Sequence, residues 1–156
     1  MVNKGKKVLI TKEGLKELKK QYELLVSVKR PETVDRVAKA RDFGVLMENS
    51  EYSAAREELE MVDNQIANLK ATLDKAQVVT VKRNTDFVTI GSTVVVEVDG
   101  EIDELSIVGS LEANPIEKKI SNESPVGKAL LSAKVGETVE VATTIVKYKY
   151  KILEIK

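Results

Sequence analysis

A helical hairpin followed by a small α+β domain, an α plus α+β class, is the fold that this 156-residue sequence predicts. Three observations predict it. Tyr52, Ala55, Leu59, Val62, Ile66, Leu69, Leu73 and Ala76 recur at spacings of 3 and 4. Gly44 separates that pattern from an earlier helical one. From Val78 onward, β-branched runs replace the helical period.

In chain order, Thr11 reads as a helix N-cap, because its hydroxyl can accept from the first free backbone N–H groups. Leu15, Leu18, Tyr22 and Leu25 then follow at 3-4-3 spacing, one apolar seam of a helix. Pro31 interrupts the pattern, so the first arm either kinks there or restarts with proline in a first turn. Val34, Val37 and Ala38 resume a helical face up to about Phe43. Gly44 reads as the stop, since glycine accepts the left-handed conformation of a C-terminal cap. Residues 44–50 form the reversal. The second arm holds its seam for about four heptads and should span more than about 30 Å. A short connection makes the arms antiparallel neighbours. The seam is packing between two helices and carries no chemistry of its own.

The run Gln77, Val78, Val79, Thr80, Val81 is strand-like, and residues 82–86 read as a polar linker. The expected domains are therefore residues 1–80 and 84–156. In the second, residues 93–98 and 102–108 flank Asp99-Gly100, a hairpin signal. Residues 124–131 suggest a short helix with Pro125 in its first turn. Residues 139–141 and 146–155 read as further strands. No internal repeat and no glycine-rich phosphate loop occurs.

Composition narrows the chemistry. The chain has no Cys and no His, which removes thiolate or imidazole zinc sites, Cys nucleophiles and Ser-His-Asp triads. Acid–base or metal chemistry must rest on Asp, Glu, Lys or Tyr, and oxygen ligands favour Mg²⁺ or Ca²⁺. Aromatics make up 4% of the chain, too few for a large aromatic-lined pocket, whereas the 32% of charged residues suits a solvated helix pair. The net charge is zero, but residues 1–83 carry 17 basic and 13 acidic residues (+4) and residues 84–156 carry 8 and 12 (−4). That bias is too small for autonomous DNA binding. No apolar run reaches the length of a membrane span, and the apolar core Val8-Leu9-Ile10 is too short for a signal peptide. The expectation is a cytoplasmic monomer.

The most informative stretch is Ala40-Arg41-Asp42-Phe43-Gly44-Val45-Leu46-Met47-Glu48-Asn49-Ser50-Glu51-Tyr52, which puts glycine and a cluster of carboxylates at the hairpin turn. It resembles the tip of the bacterial GreA/GreB transcript cleavage factors. Ser27-Val28-Lys29-Arg30-Pro31-Glu32 resembles that family's mid-helix segment, Asp74-Lys75-Ala76-Gln77-Val78-Val79 its junction to the second domain, and Ser124-Pro125-Val126-Gly127-Lys128-Ala129 and Val135-Gly136-Glu137-Thr138-Val139 its C-terminal domain. These matches run in order along nearly the whole chain, and lengths near the tip are most like the GreA branch. The resemblance implies an FKBP-like second domain that binds bacterial RNA polymerase. It implies a coiled coil inserted into the secondary channel, where it promotes cleavage of the nascent RNA 3′ end in backtracked complexes. The factor is then no enzyme itself. It holds no metal alone and needs no cofactor beyond the Mg²⁺ of the polymerase active site.

The family's tip reads Gly-Asp-Leu-x-Glu-Asn. Here Glu48 matches the second acid and would share a polymerase Mg²⁺, while Val45 replaces the first. Valine has no ligand atoms. Asp42 and Glu51 are supporting candidates, three residues to either side. Carboxylates here also complement the positive end of a helix without any catalytic role. Lys12, Lys16, Lys19, Lys20 and Arg30 fit either an RNA-facing basic patch, as the resemblance implies, or the solvated side of an amphipathic arm. Ser124, Pro125 and Lys128 fit either a polymerase-docking surface or a packed short helix. A non-cleaving channel regulator is the alternative function, and a coiled-coil interaction protein without a polymerase role is the third reading.

Overall fold

The computed structural model describes residues 5–44, 49–80 and 86–156. The chain forms two compact units, Lys16–Lys75 and the combination of Met1–Leu15 with Ala76–Lys156.

The first unit is the hairpin. Its first arm comprises α1 (Lys12–Leu24), a π-helical turn at Leu25–Lys29 and α2 (Arg30–Arg41); its second arm is α3 (Ser50–Lys75). The pairing across the arms is antiparallel. Arg30 Nε meets Asp63 Oδ1 at 2.7 Å, Arg36 Nε meets Glu51 Oε1 at 2.8 Å, and Asn49 reaches Ala40 at the turn. Ala55 and Val62 of α3 are buried, and the other seam residues from Tyr52 to Ala76 are half-buried. Two helices alone cannot enclose a seam on all sides, so partial burial is the expected outcome of this pattern.

Pro31 lies in the first turn of α2, the restart that the sequence allowed, and the arm stays helical through it. The preceding turn widens, and the Arg30 N–H donates to the Leu25 carbonyl five residues back. A π-turn inserts one extra residue, which relieves the conflict between the proline ring and the carbonyl beneath it. The insertion also moves the seam by one position. Thr33, not the expected Val34, is buried, at 2% exposure against 40%. The Thr33 hydroxyl is satisfied by donating to the Lys29 carbonyl at 2.8 Å.

In the second unit, β1 (Val8–Ile10) and β2 (Ala76–Val78) form a parallel pair in the register Val8↔Ala76 to Ile10↔Val78. A five-stranded sheet has the order β5-β4-β3-β7-β6, with β3 at Thr93–Val98, β4 at Glu101–Val108, β5 at Lys119–Ser121, β6 at Thr138–Ala142 and β7 at Lys147–Ile155. Asp99 and Gly100 both take positive φ, 51° and 84°, as a two-residue hairpin turn demands. Alternation on β3 buries Val94 and Val96 against Leu105, Ile107, Ile152 and Ile155. The short helix α4 (Pro125–Leu130) adds Leu130 to that core. β5 pairs with β4 in parallel but is only three residues long, and the sequence pattern had not marked it.

The start of α1 belongs to this unit. Thr11 Oγ1 accepts from the Gly14 N–H at 3.1 Å, which is the expected N-cap. The Glu112 carboxylate accepts from the Thr11 N–H at 2.8 Å and from the Thr11 hydroxyl. A Cβ at position 14 would meet that carboxyl group, so a larger residue there would have to displace Glu112 from Thr11. The sequence reading divides the chain at residues 80–84; by its contacts, the β1–α1 junction groups with the later residues.

Candidate functional site

The hairpin end is built by two helix termini. α2 closes at Arg41 with Asp42 as its C-cap, and the Asp42 N–H donates to Ala38 O at 3.3 Å. Gly44, at φ 137°, lies two residues beyond that cap instead of supplying it. This backbone conformation is closed to ordinary side chains. On the other side, Asn49 caps α3. Its Oδ1 accepts from the Tyr52 N–H at 3.0 Å, and its Nδ2 donates to the Ala40 carbonyl at 2.6 Å. One side chain therefore covers a free N–H at the start of α3 and adds a second donor to the Ala40 carbonyl at the end of α2, which also accepts from the Phe43 N–H at 3.2 Å. The sequence reading had not marked Asn49 as a cap, although Asn just before a helical seam is an N-cap signal; its second bond depends on the antiparallel packing and leaves no local signal.

Below the turn lies a ladder of charges. Arg36 pairs with both Glu51 and Glu58, and Lys29 Nζ meets Glu58 Oε1 at 2.7 Å. The hydrogen bond from Lys29 is the main reason the Glu58 carboxyl is held below its ordinary range, with Arg36 adding to it. The hydrogen bond to Glu51 raises the Arg36 guanidinium. All of these groups face solvent, so each pair adds little stability alone, and the network chiefly fixes which faces of the arms meet.

The candidate residues fall in several places. Glu48 and Val45 lie outside the described residues. Asp42 is exposed at the end of α2. Glu51 stands in the first turn of α3 with its carboxylate engaged by Arg36. Lys12, Lys16, Lys19 and Lys20 are exposed on α1, while the Arg30 guanidinium is paired with Asp63. In the other unit, Ser124 caps α4: its Oγ accepts from the Gly127 N–H at 3.0 Å and donates to Ser121 O at 2.7 Å. That hydroxyl builds the helix, whereas Pro125 and Lys128 present their side chains to solvent. Among the described residues, no three acidic side chains converge as a metal cage, and no helix is long and apolar enough to cross a membrane.

Comparison with known proteins agrees along the whole chain. Residues 8–78 match the family model for the N-terminal region of the transcription elongation factors GreA and GreB, and residues 82–156 match the GreA/GreB C-terminal model. Transcription elongation factor GreA of Caldanaerobacter subterraneus subsp. tengcongensis is 47% identical over 155 residues, covering 97% of this chain and 99% of the relative. GreA of Clostridium acetobutylicum is 45% identical over 159 residues, covering 99% and 100%. Among solved structures, GreA factor homolog 1 of Thermus thermophilus is 26% identical, with coverage of 97% and 99% and a TM-score of 0.45. Two family models in sequence order and near-complete coverage at almost half identity lead to one conclusion: this chain belongs to the GreA/GreB family of transcription elongation factors.

Proposed function

We propose that the chain binds bacterial RNA polymerase, inserts its hairpin end into the secondary channel and promotes cleavage of backtracked nascent RNA by the polymerase itself. The observation that carries this reading is the hairpin end of a GreA/GreB family member, tied across both arms by Asn49. The 26 residues of α3 make an arm of about 39 Å. Such an arm can deliver a side chain into a passage too narrow for a globular domain. Glu48 is the acid assigned to the reaction. Beside the polymerase's own Mg²⁺, a further carboxylate helps place a second metal or the attacking water, as two-metal hydrolysis of a phosphodiester requires. The chain supplies no cofactor. Residues 84–156 supply the docking surface through Pro125 and Lys128, with Ser124 shaping the helix that carries them. The factor works as a cytoplasmic monomer.

Val45 removes one ligand from the tip and weakens cleavage. The same residue favours a second reading, a regulator that occupies the channel without cleaving. A transcript cleavage assay on a stalled complex tests both. Shortening of the RNA in the presence of the factor supports the first; intact RNA with the factor bound supports the second. Failure to bind core polymerase would remove both.

A further inference from the structure

Phe43 is 85% exposed at the end of α2, where an aromatic ring gains nothing from packing within its own chain. It borders a hollow of about 320 Å³ lined also by Ala40, Lys39, Arg36 and three carboxylates, Glu32, Asp35 and Glu51. That volume is at the lower end of the range of about 300–1,000 Å³ typical of small-molecule sites. The surrounding charges select its occupant. Arg36 is already neutralised by Glu51 and Glu58, and Lys39 by Asp35. The hollow therefore offers no uncommitted cation for a phosphate or an acidic peptide. Its carboxylates keep lone pairs free to accept further hydrogen bonds. An apolar protein side chain seated here would strip water from those carboxylates and return no donor. A flat, neutral ring with N–H groups on its edge meets both demands, stacking on Phe43 and donating to Asp35 or Glu51.

We infer that Phe43 is a positioning residue that stacks on an unpaired base at the 3′ end of the RNA, with the neighbouring carboxylates receiving the base's N–H edge. The inference rests on the proposed channel function and names the group that would hold the extruded RNA end. Stacking on an aromatic side chain tolerates any base, so the site grips the RNA end without reading its sequence.

The test uses backtracked elongation complexes whose RNA ends in 4-thiouridine, with the full chain as wild type, Phe43→Ala and Phe43→Trp. Crosslinks are mapped by mass spectrometry, and factor retention on the polymerase is measured in parallel. The wild type should crosslink within the peptide containing residue 43. Phe43→Ala should bind polymerase normally, keep its helicity and lose crosslink yield at least fivefold, since one base–aromatic stack is worth roughly 5- to 150-fold. Phe43→Trp should restore the yield. Normal retention with an unchanged yield in Phe43→Ala would overturn the inference and leave the proposed function standing. So would a crosslink confined to the polymerase, or a tryptophan variant no better than alanine. Absence of polymerase binding by the wild type would overturn the proposed function and this inference with it.

Discussion

Asn49→Ala should cost about 2 kcal/mol of hairpin stability, because one side chain supplies two unrelated bonds. The cap on the Tyr52 N–H is worth about 1 kcal/mol, within a range of about 0.5–2. The bond from Nδ2 to the Ala40 carbonyl adds about 0.5–1.5 kcal/mol, as solvent replaces only part of it. The cap distance of 3.0 Å is that of a well-formed bond, and the 2.6 Å to Ala40 is shorter than the usual N–H···O range. Native-state hydrogen exchange of the full chain resolves the effect locally. Protection of the amides in the first turn of α3 should fall on the order of 30-fold, the equivalent of about 2 kcal/mol. Asn49→Asp keeps the acceptor, loses the donor and puts a negative charge at a helix N-terminus, where it is favourable. It should therefore recover the cap contribution and show less than half the loss of the alanine variant. Exchange in Asn49→Ala within twofold of wild type would refute the reasoning. Equal losses in both variants would show that the bond to Ala40, and not the cap, carries the effect.

Glu48→Ala should lower cleavage stimulation on the order of 100-fold without loss of polymerase binding, read from RNA shortening in stalled complexes. Val45→Asp should raise cleavage severalfold and steepen its Mg²⁺ dependence; no gain with intact binding would favour the non-cleaving regulator. Gly14→Ala would gain up to about 1 kcal/mol of helix propensity at an open site, but here it displaces Glu112 from Thr11. It should lower the unfolding midpoint, and a rise would show that the carboxylate moves aside freely. The Glu58 carboxyl is depressed by Lys29 and Arg36 in the folded state. Its contribution is fully present above the unfolded carboxyl value of about 4.3 and is lost as pH falls through the lower folded value. Lys29→Ala should flatten that acid limb of the stability profile at low salt, and an unchanged limb would show that the pair is already screened.

The hairpin was legible because a seam repeating at 3 and 4 over more than twenty residues has one physical solution, a helix against a helix. The β3–β4 hairpin was legible for a similar local reason, Asp99-Gly100 between apolar runs. What escaped the sequence was either short or non-local. β1 and β5 are three residues each, too few for a period to emerge, and exist because distant strands pair with them. Thr33 looked like a surface residue and Val34 like a core one, because the extra residue of the π-turn is invisible until the helix is built. At the candidate site the residue types were readable, while the partners were not. Glu51 was read as a candidate acid and is joined to Arg36 from the other arm; Arg30 was read with the basic patch and is joined to Asp63.

The parallel pairing of β1 with β2 bears on how the chain folds as it is synthesised. Among the described residues, the ion pairs and the side-chain bond that join the two arms, from Arg30–Asp63 to Asn49–Ala40, lie within the first 63 residues. The second unit needs Ala76–Val78 to complete β1 and Glu112 to clasp Thr11, a separation of 101 residues, and its sheet ends with β7 at Ile155. Contacts this distant in sequence form slowly, while local ones form early. The hairpin can therefore be assembled while the rest of the second unit is still emerging from the ribosome, with the strand Val8–Ile10 held in waiting. The feet of the hairpin are adjacent strands, so the arm is an insertion between two neighbouring positions. Its length can change by matched turns in both helices without altering the register in which those strands meet.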